Sequence, residues 1–399
     1  MISTWPHRGR RIRAVMAVSG AVVLALAGCG GSSGKKVAAV QAAHTIGQGE
    51  GALNLISWPG YTEAGGSDPR VNWVTPFENQ TGCEIKVKVV SSAQAAVDAM
   101  SDPSQGFDGV AAPPEVSGRL IAAGQVAPVN PNLIDGYKDL QPRLRGLLKK
   151  NGMLYGVPFM WGTNLLMYDS QVVQPGPDSW SALFDPAQVR KYAGRVIMRD
   201  TPLTIGDAAL YLKAANAKLK ITDPFELTLK QLDAAAALLK AQHHSVKSYW
   251  SSSADVVNAF ASGTSVLGQV WPYHVDVLKR AGRPVTGVTP KEGVTGWVDS
   301  WMIGAHAPHP SCMYQWVNYM SSQDVQQQVA EWNGVAPANP AACARDLLKV
   351  DFCAAYHVDD RTYIDKVMFA HTPDRDCGGG RRDCTDYADW TRAWNAAVS

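Results

Sequence analysis

Leu53-Asn54-Leu55-Ile56-Ser57-Trp58-Pro59-Gly60-Tyr61 is the stretch on which the fold of this chain turns. Residues 53–57 are mostly apolar and of strand length, and two aromatic rings, Trp58 and Tyr61, follow. The same pattern recurs downstream. Residues 85–90, 109–112, 155–159, 165–168, 196–198, 266–270 and 297–303 read as further strands by length and by β-branched and aromatic content. Residues 94–100, 228–242, 254–261, 275–281 and 314–320 read as helices. In the second of these Leu229, Leu232, Ala236 and Leu239 fall on one face. Strand and helix in alternation imply an α/β fold with sheets covered on both sides.

In open α/β sheets the ligand crevice is built from loops at the carboxyl ends of strands. The side chains expected there are mostly aromatic: Trp58 and Tyr61 after the first strand, Trp161 after 155–159, and Trp271 and Tyr273 after 266–270. Trp297 opens the last strand beside Asp299. A carboxylate among indoles suits an organic cation, because ring faces attract an ammonium and the carboxylate pairs with it. A single tryptophan is ordinarily a core filler; the shared placement at strand ends is what sets these apart.

Ahead of this body, an apolar run from Ala14 to Ala27 follows Arg8, Arg10, Arg11 and Arg13 and ends in Leu26-Ala27-Gly28-Cys29. At roughly 14 residues it is shorter than the about 20 that cross a bilayer. It therefore reads as a lipoprotein signal peptide over residues 1–28, with lipid on Cys29 and a flexible Gly/Ser/Lys/Ala/Gln tether over 29–50. Arg10-Arg11 alone leaves a twin-arginine export route open. An extracytoplasmic protein, lipid-anchored to the outer face of the cell membrane, is expected. The chain carries 37 Lys+Arg against 35 Asp+Glu, and removing four arginines and no acid leaves 33 against 35. Such a balance, with no basic stripe, argues against a nucleic-acid partner. The remaining about 370 residues exceed what one core usually supports, so two lobes are expected.

With Cys29 reserved for lipid, six cysteines remain: Cys83, Cys312, Cys343, Cys353, Cys377 and Cys384. An even number in an oxidising compartment points to three disulfides. Fifteen connectivities are open. Cys377 and Cys384 bracket a glycine turn, and Cys343 and Cys353 lie one short helix apart, which favours local pairs and leaves Cys83 for Cys312. The spacings are not the C-x2-C type that gathers thiolates on zinc, and no metal or cofactor is expected.

Four segments carry a resemblance to a known family. Residues 53–61, Tyr155-Gly156-Val157-Pro158-Phe159-Met160-Trp161-Gly162-Thr163, Ser265-Val266-Leu267-Gly268-Gln269-Val270-Trp271 and Pro290-Lys291-Glu292-Gly293-Val294-Thr295-Gly296-Trp297-Val298-Asp299-Ser300 resemble the bacterial extracellular solute-binding proteins of ABC importers, of the spermidine/putrescine-binding type. The match runs in register from about residue 51 to about 340, and the last 60 residues match only loosely. The resemblance implies a two-lobed periplasmic-binding-protein fold (type II like) with an interlobe ligand cleft and crossover hinges. It places residues 51–163 with 297–342 in lobe 1 and 164–296 with 343–399 in lobe 2. It carries Trp58, Tyr61, Trp271, Trp297 and Asp299 to ligand-contacting positions, and adds as partners a permease and a separate ATPase, this chain having no phosphate-binding loop. A monomer is expected. Two departures stand out. Where the family places an acidic pair for a distal ammonium, this chain has Thr201 and Thr204, and the loop after 109–112 reads Pro113-Pro114-Glu115 where the polyamine binder has serine and tyrosine. Glu63, Glu115 and Asp207 are the carboxylates left to substitute.

Two other classes compete. A secreted enzyme lacks support: there is no H-E-x-x-H, the G-x-S-x-G pattern of Gly30-Gly31-Ser32-Ser33-Gly34 falls in the expected tether and not between a strand and a helix, and His243-His244 are adjacent, so on a helix they point about 100° apart. A surface-tethered scaffold that keeps the fold without a transported ligand would bury Trp58, Trp271 and Trp297 rather than leave them lining a cleft.

Overall fold

A computed structural model of the protein describes residues 40–344, 348 and 351–399. The signal peptide, Cys29 and the first part of the tether lie outside the described residues. In chain order the strands are β1 (Ala52–Ser57), β2 (Glu84–Val89), β3 (Gly109–Ala112), β4 (Val157–Thr163), β5 (Leu165–Asp169), β6 (Val196–Arg199), β7 (Val246–Trp250), β8 (Leu267–Val270), β9 (Val285–Val288), β10 (Thr295–Ile303), β11 (Ala336–Pro337) and β12 (Met368–Phe369), beside a small ladder between Lys149–Lys150 and Met153–Leu154. The longer helices are α1 (Val74–Thr81), α2 (Ala93–Ser101), α3 (Pro114–Ala122), α4 (Thr204–Ala215), α5 (Leu229–His243), α6 (Ser253–Ala261), α7 (Pro272–Arg280), α8 (Pro310–Ser321), α9 (Gln323–Asn333) and α10 (Tyr387–Val398).

The strands form two mixed sheets. The larger runs β11-β4-β10-β3-β1-β2, with β12 added alongside β10; the smaller runs β9-β5-β8-β6-β7. In the larger sheet β3 is buried throughout, whereas β2 is an edge whose exposed Glu84, Lys86 and Lys88 discourage further pairing. Helix boundaries follow local chemistry. Ser92 caps α2 by accepting the Ala95 amide, Thr228 and Gln231 form a capping box at α5, and Gly82, at φ 71°, ends α1 in the left-handed conformation. Trp73, Phe77, Phe159, Trp301 and Trp316 fill the core beneath the larger sheet, and Trp180, Phe184, Phe225 and Trp390 that of the smaller.

The chain passes between sheets where β4 hands over to β5 through Asn164 alone, and returns between β9 and β10. Residues 343–399, expected with the second lobe, are shared. Met368–Phe369 pair with Thr295 and Gly296 of β10, while α10 packs against α5 and Trp390 stacks on Phe225 at 6.2 Å. A short parallel strand at the start of β10 captures the chain before it reaches the smaller sheet. Residues 43–50, expected in the tether, also belong to the body. Ala43 and Ile46 pack on its core, and the Glu50 carboxylate accepts the Ser311 and Cys312 amides at 3.0 and 2.9 Å, capping α8. The six cysteines pair as Cys83–Cys312, Cys343–Cys353 and Cys377–Cys384, the pairs that spacing favours.

Candidate ligand site

Trp297 and Asp299 alternate in β10 with Val298, so both project from the same face of the strand. A bulge falls between Asp299 and Ser300, where β10 shifts register against β4. Opposite Trp297 stands Gly162. A Cβ there would lie 2.5 Å from the indole, so only glycine lets the ring settle against β4. Asp299 is buried. Its Oδ2 accepts a 2.5 Å hydrogen bond from the Tyr61 hydroxyl, while Oδ1 has no partner among the described residues. Burial raises the Asp299 carboxyl from its ordinary 3.8 to about 7; Tyr61 and the positive Arg199 oppose the shift, and the charge of Glu115 adds to it. Tyr61 is held edge-on to Phe159 at 5.3 Å.

From the smaller sheet comes Trp271, at the end of β8 and the start of α7. Its ring lies 5.1 Å from Trp297 and 4.9 Å from Trp250 and stacks on His274, while its Nε1 donates to Asn164 Oδ1 at 3.1 Å. Burial holds His274 near pKa 3 and hence neutral, and its Nδ1 accepts the Trp271 amide at 3.0 Å. The indole is thus held by four neighbours. Asp207, in the first turn of α4 and fully buried, accepts from Thr295 Oγ1, from Gln269 at 2.5 Å and from Asn164 at 3.4 Å. Asn164 and Thr295 sit on the two crossings, so one carboxylate knits both together. Burial lifts Asp207 to about 7, against the pull of Thr295 and Arg199.

The remaining expected residues divide. Trp58 is half-buried and donates Nε1 to Ala111 O at 2.9 Å. Trp161, expected after a strand, lies within β4, because that strand continues to Thr163; it is 1% exposed, its Nε1 bonded to Pro337 O and its ring against Phe369. Thr204 Oγ1 donates to Arg199 O at 2.9 Å at the start of α4, a local contact that ties β6 to the helix. Thr201 instead reaches across the molecule, donating to Glu115 Oε1 at 3.0 Å.

Arg199, absent from the sequence reading, is the centre of that end of the site. The last residue of β6, it directs its guanidinium over the Trp271 ring at 4.9 Å and pairs with Glu115 Oε1 at 3.3 Å. Glu115 begins α3 beside the larger sheet, so the ion pair joins the two halves. A cavity of about 930 Å³ lies elsewhere, lined by residues including Gly118, Lys150, His371 and Tyr387, and by none of the ligand residues expected from sequence. Beside it His371 Nε2 is 4.0 Å from both Asp223 and Glu226, a half-exposed ionic cluster.

Two α/β halves crossed by extended segments, with aromatic rings and carboxylates meeting between them, define a bilobal binding protein. The family profile for bacterial extracellular solute-binding proteins matches residues 72–351. The chain belongs to that family, whose members bind solutes for ABC transporters and are not enzymes. It is 24% identical over 292 residues to the spermidine/putrescine-binding periplasmic protein of Escherichia coli, covering 73% of this chain and 78% of the relative. Among solved structures, the spermidine/putrescine ABC transporter substrate-binding protein of Streptococcus pneumoniae superposes with TM-score 0.66 at 17% identity, covering 87% of this chain and 99% of that one. The Tp0655 lipoprotein of Treponema pallidum gives the same TM-score and identity over the same shares.

Proposed function

We propose that this protein captures a small organic cation, a polyamine or related amine, between its lobes and delivers it to a membrane permease driven by a separate ATPase. The observation that carries this reading is Asp299. A buried carboxylate with one oxygen bonded to Tyr61 and the other without a partner among the described residues, beside Trp297 and Trp271, is the arrangement an ammonium completes. The names of relatives that bind spermidine and putrescine support it. We further propose that a lipid on Cys29 anchors the protein outside the cell membrane, a reading supported by the signal pattern and by the lipoprotein among its structural neighbours. Asp299, Tyr61, Trp271 and Trp297 are the proposed contacts, with Trp58 and Thr201 flanking them. Trp161 and Thr204 support the frame.

A second reading, a tethered scaffold without cargo, draws on the packing of the rings: Trp297 is 7% exposed, and Trp58 and Trp271 are half-buried with their indole N–H groups already used. Isothermal titration with putrescine, spermidine and simple monoamines separates the two. Saturable binding of an amine supports the receptor; silence with amines, sugars and anions alike supports the scaffold.

A further inference from the structure

We infer that Arg199 is a built-in cation that fills one end of the site, so that the protein takes ligands with a single ammonium and a far end that is uncharged or anionic, and rejects di- and triamines. The inference rests on the cation reading above and narrows its substrate class from a polyamine or related amine to an amine with a single ammonium. An ammonium ligand needs a carboxylate and an aromatic face. At the β10 end both stand ready: Asp299 Oδ1 has no partner among the described residues, and Trp297 lies beside it. At the β6 end the same two elements, Trp271 and Glu115, are already engaged by the protein's own guanidinium, at 4.9 and 3.3 Å.

Arg199 is not a loose surface side chain. Its amide donates to Gln269 Oε1 at 3.1 Å, its carbonyl accepts Thr204 Oγ1 at 2.9 Å, and its side chain is 20% exposed. Thr201 donates to the same Glu115 oxygen that Arg199 pairs with. Glu115 Oε2 lacks a partner among the described residues, but an ammonium settling on it would share one carboxylate with a fixed guanidinium. Two like charges on one acceptor in a buried setting disfavour each other strongly. The positions where the chain carries Thr201 and Thr204 supply hydroxyls and no further negative charge.

The test compares probes matched in chain length, n-butylamine, 4-aminobutanoate and putrescine, together with spermidine, by calorimetric titration of the purified protein and of Arg199→Gln and Arg199→Lys. The wild type is expected to bind n-butylamine or 4-aminobutanoate at least about tenfold tighter than putrescine. Arg199→Gln should raise putrescine affinity relative to n-butylamine by about tenfold, whereas Arg199→Lys, which keeps the charge, should preserve the discrimination. Thermal unfolding of each variant checks its fold, and the wild-type preference and Arg199→Lys carry the test if Arg199→Gln does not fold. A wild type that binds putrescine or spermidine as tightly as both single-ammonium probes overturns the inference alone, as does a folded Arg199→Gln with unchanged preference. Failure of every amine to bind overturns the cation reading, and this inference with it.

Discussion

On the proposed reading, Asp299 changes charge with its ligand. Burial holds its carboxyl near 7, so around neutral pH it is part protonated, and a bound ammonium favours the ionised form. Amine affinity is therefore expected to rise from about pH 5 to about pH 8, with proton release on binding below pH 7, detectable as a dependence of calorimetric heat on buffer ionisation enthalpy. Without ligand the sign for stability is opposite. The folded protein holds Asp299 and Asp207 protonated where the unfolded chain, at its ordinary 3.8, has already ionised them. The contribution of these two groups to stability is thus full below about pH 4 and declines as pH rises through 7. Chemical denaturation of the wild type and of Asp207→Asn across that interval should show a shallower decline in the variant. Asp299→Asn should weaken an amine by about 1.5–3 kcal/mol and flatten the pH dependence of binding. The proposed contacts Asp299, Tyr61, Trp271 and Trp297 were legible because each lies in or just after an apolar run that reads as a strand. Arg199 was not: a lone arginine at a strand end reads as solvent-exposed, and its partner Glu115 is 84 residues away.

At the scale of elements, β4 and β10 set the site's shape, since their pairing puts Gly162 under Trp297. Gly162→Val should force the indole out of place, destabilise the protein by about 1–3 kcal/mol and weaken amine binding; a melting curve and a titration on the same sample check both. The sequence revealed β1, β3 and β10 because apolar residues outnumber polar ones in each run. It missed β7, where Lys247 and Ser248 interrupt the run, and β9, where Thr286 and Gly287 do so. Trp161 shows the cost of a short boundary: the strand runs on to Thr163, so the indole lies inside β4, bonded to Pro337 O, and not beyond the strand's end. The packing of α10 on α5 belongs to the loosely matched C-terminal part of the chain, where local pattern says little about which lobe is joined.

Across the whole molecule, two kinds of link hold the halves in relation: the crossings at Asn164 and before Thr295 are stitched by Asp207, and the Arg199–Glu115 pair spans from β6 to α3. Within the larger-sheet half, Cys83–Cys312 ties the start of β2 to α8 across 229 residues. Replacing Cys83 and Cys312 together by serine is expected to cost about 2–5 kcal/mol, measurable by denaturant titration under non-reducing conditions. Two lobes could be read from length, and an α/β build from the alternation of strand and helix; the route of β12 back into the larger sheet could not, because two residues carry no periodicity. The central claim, that an ammonium is captured on Asp299, meets its most direct test in a thermal-shift titration of the wild type and Asp299→Asn against amines, neutral sugars and anions. An amine near 100 times its Kd should stabilise the wild type by about 2.7 kcal/mol and the variant by clearly less; a shift with sugars or anions alone, or an amine shift of equal size in Asp299→Asn, would contradict it.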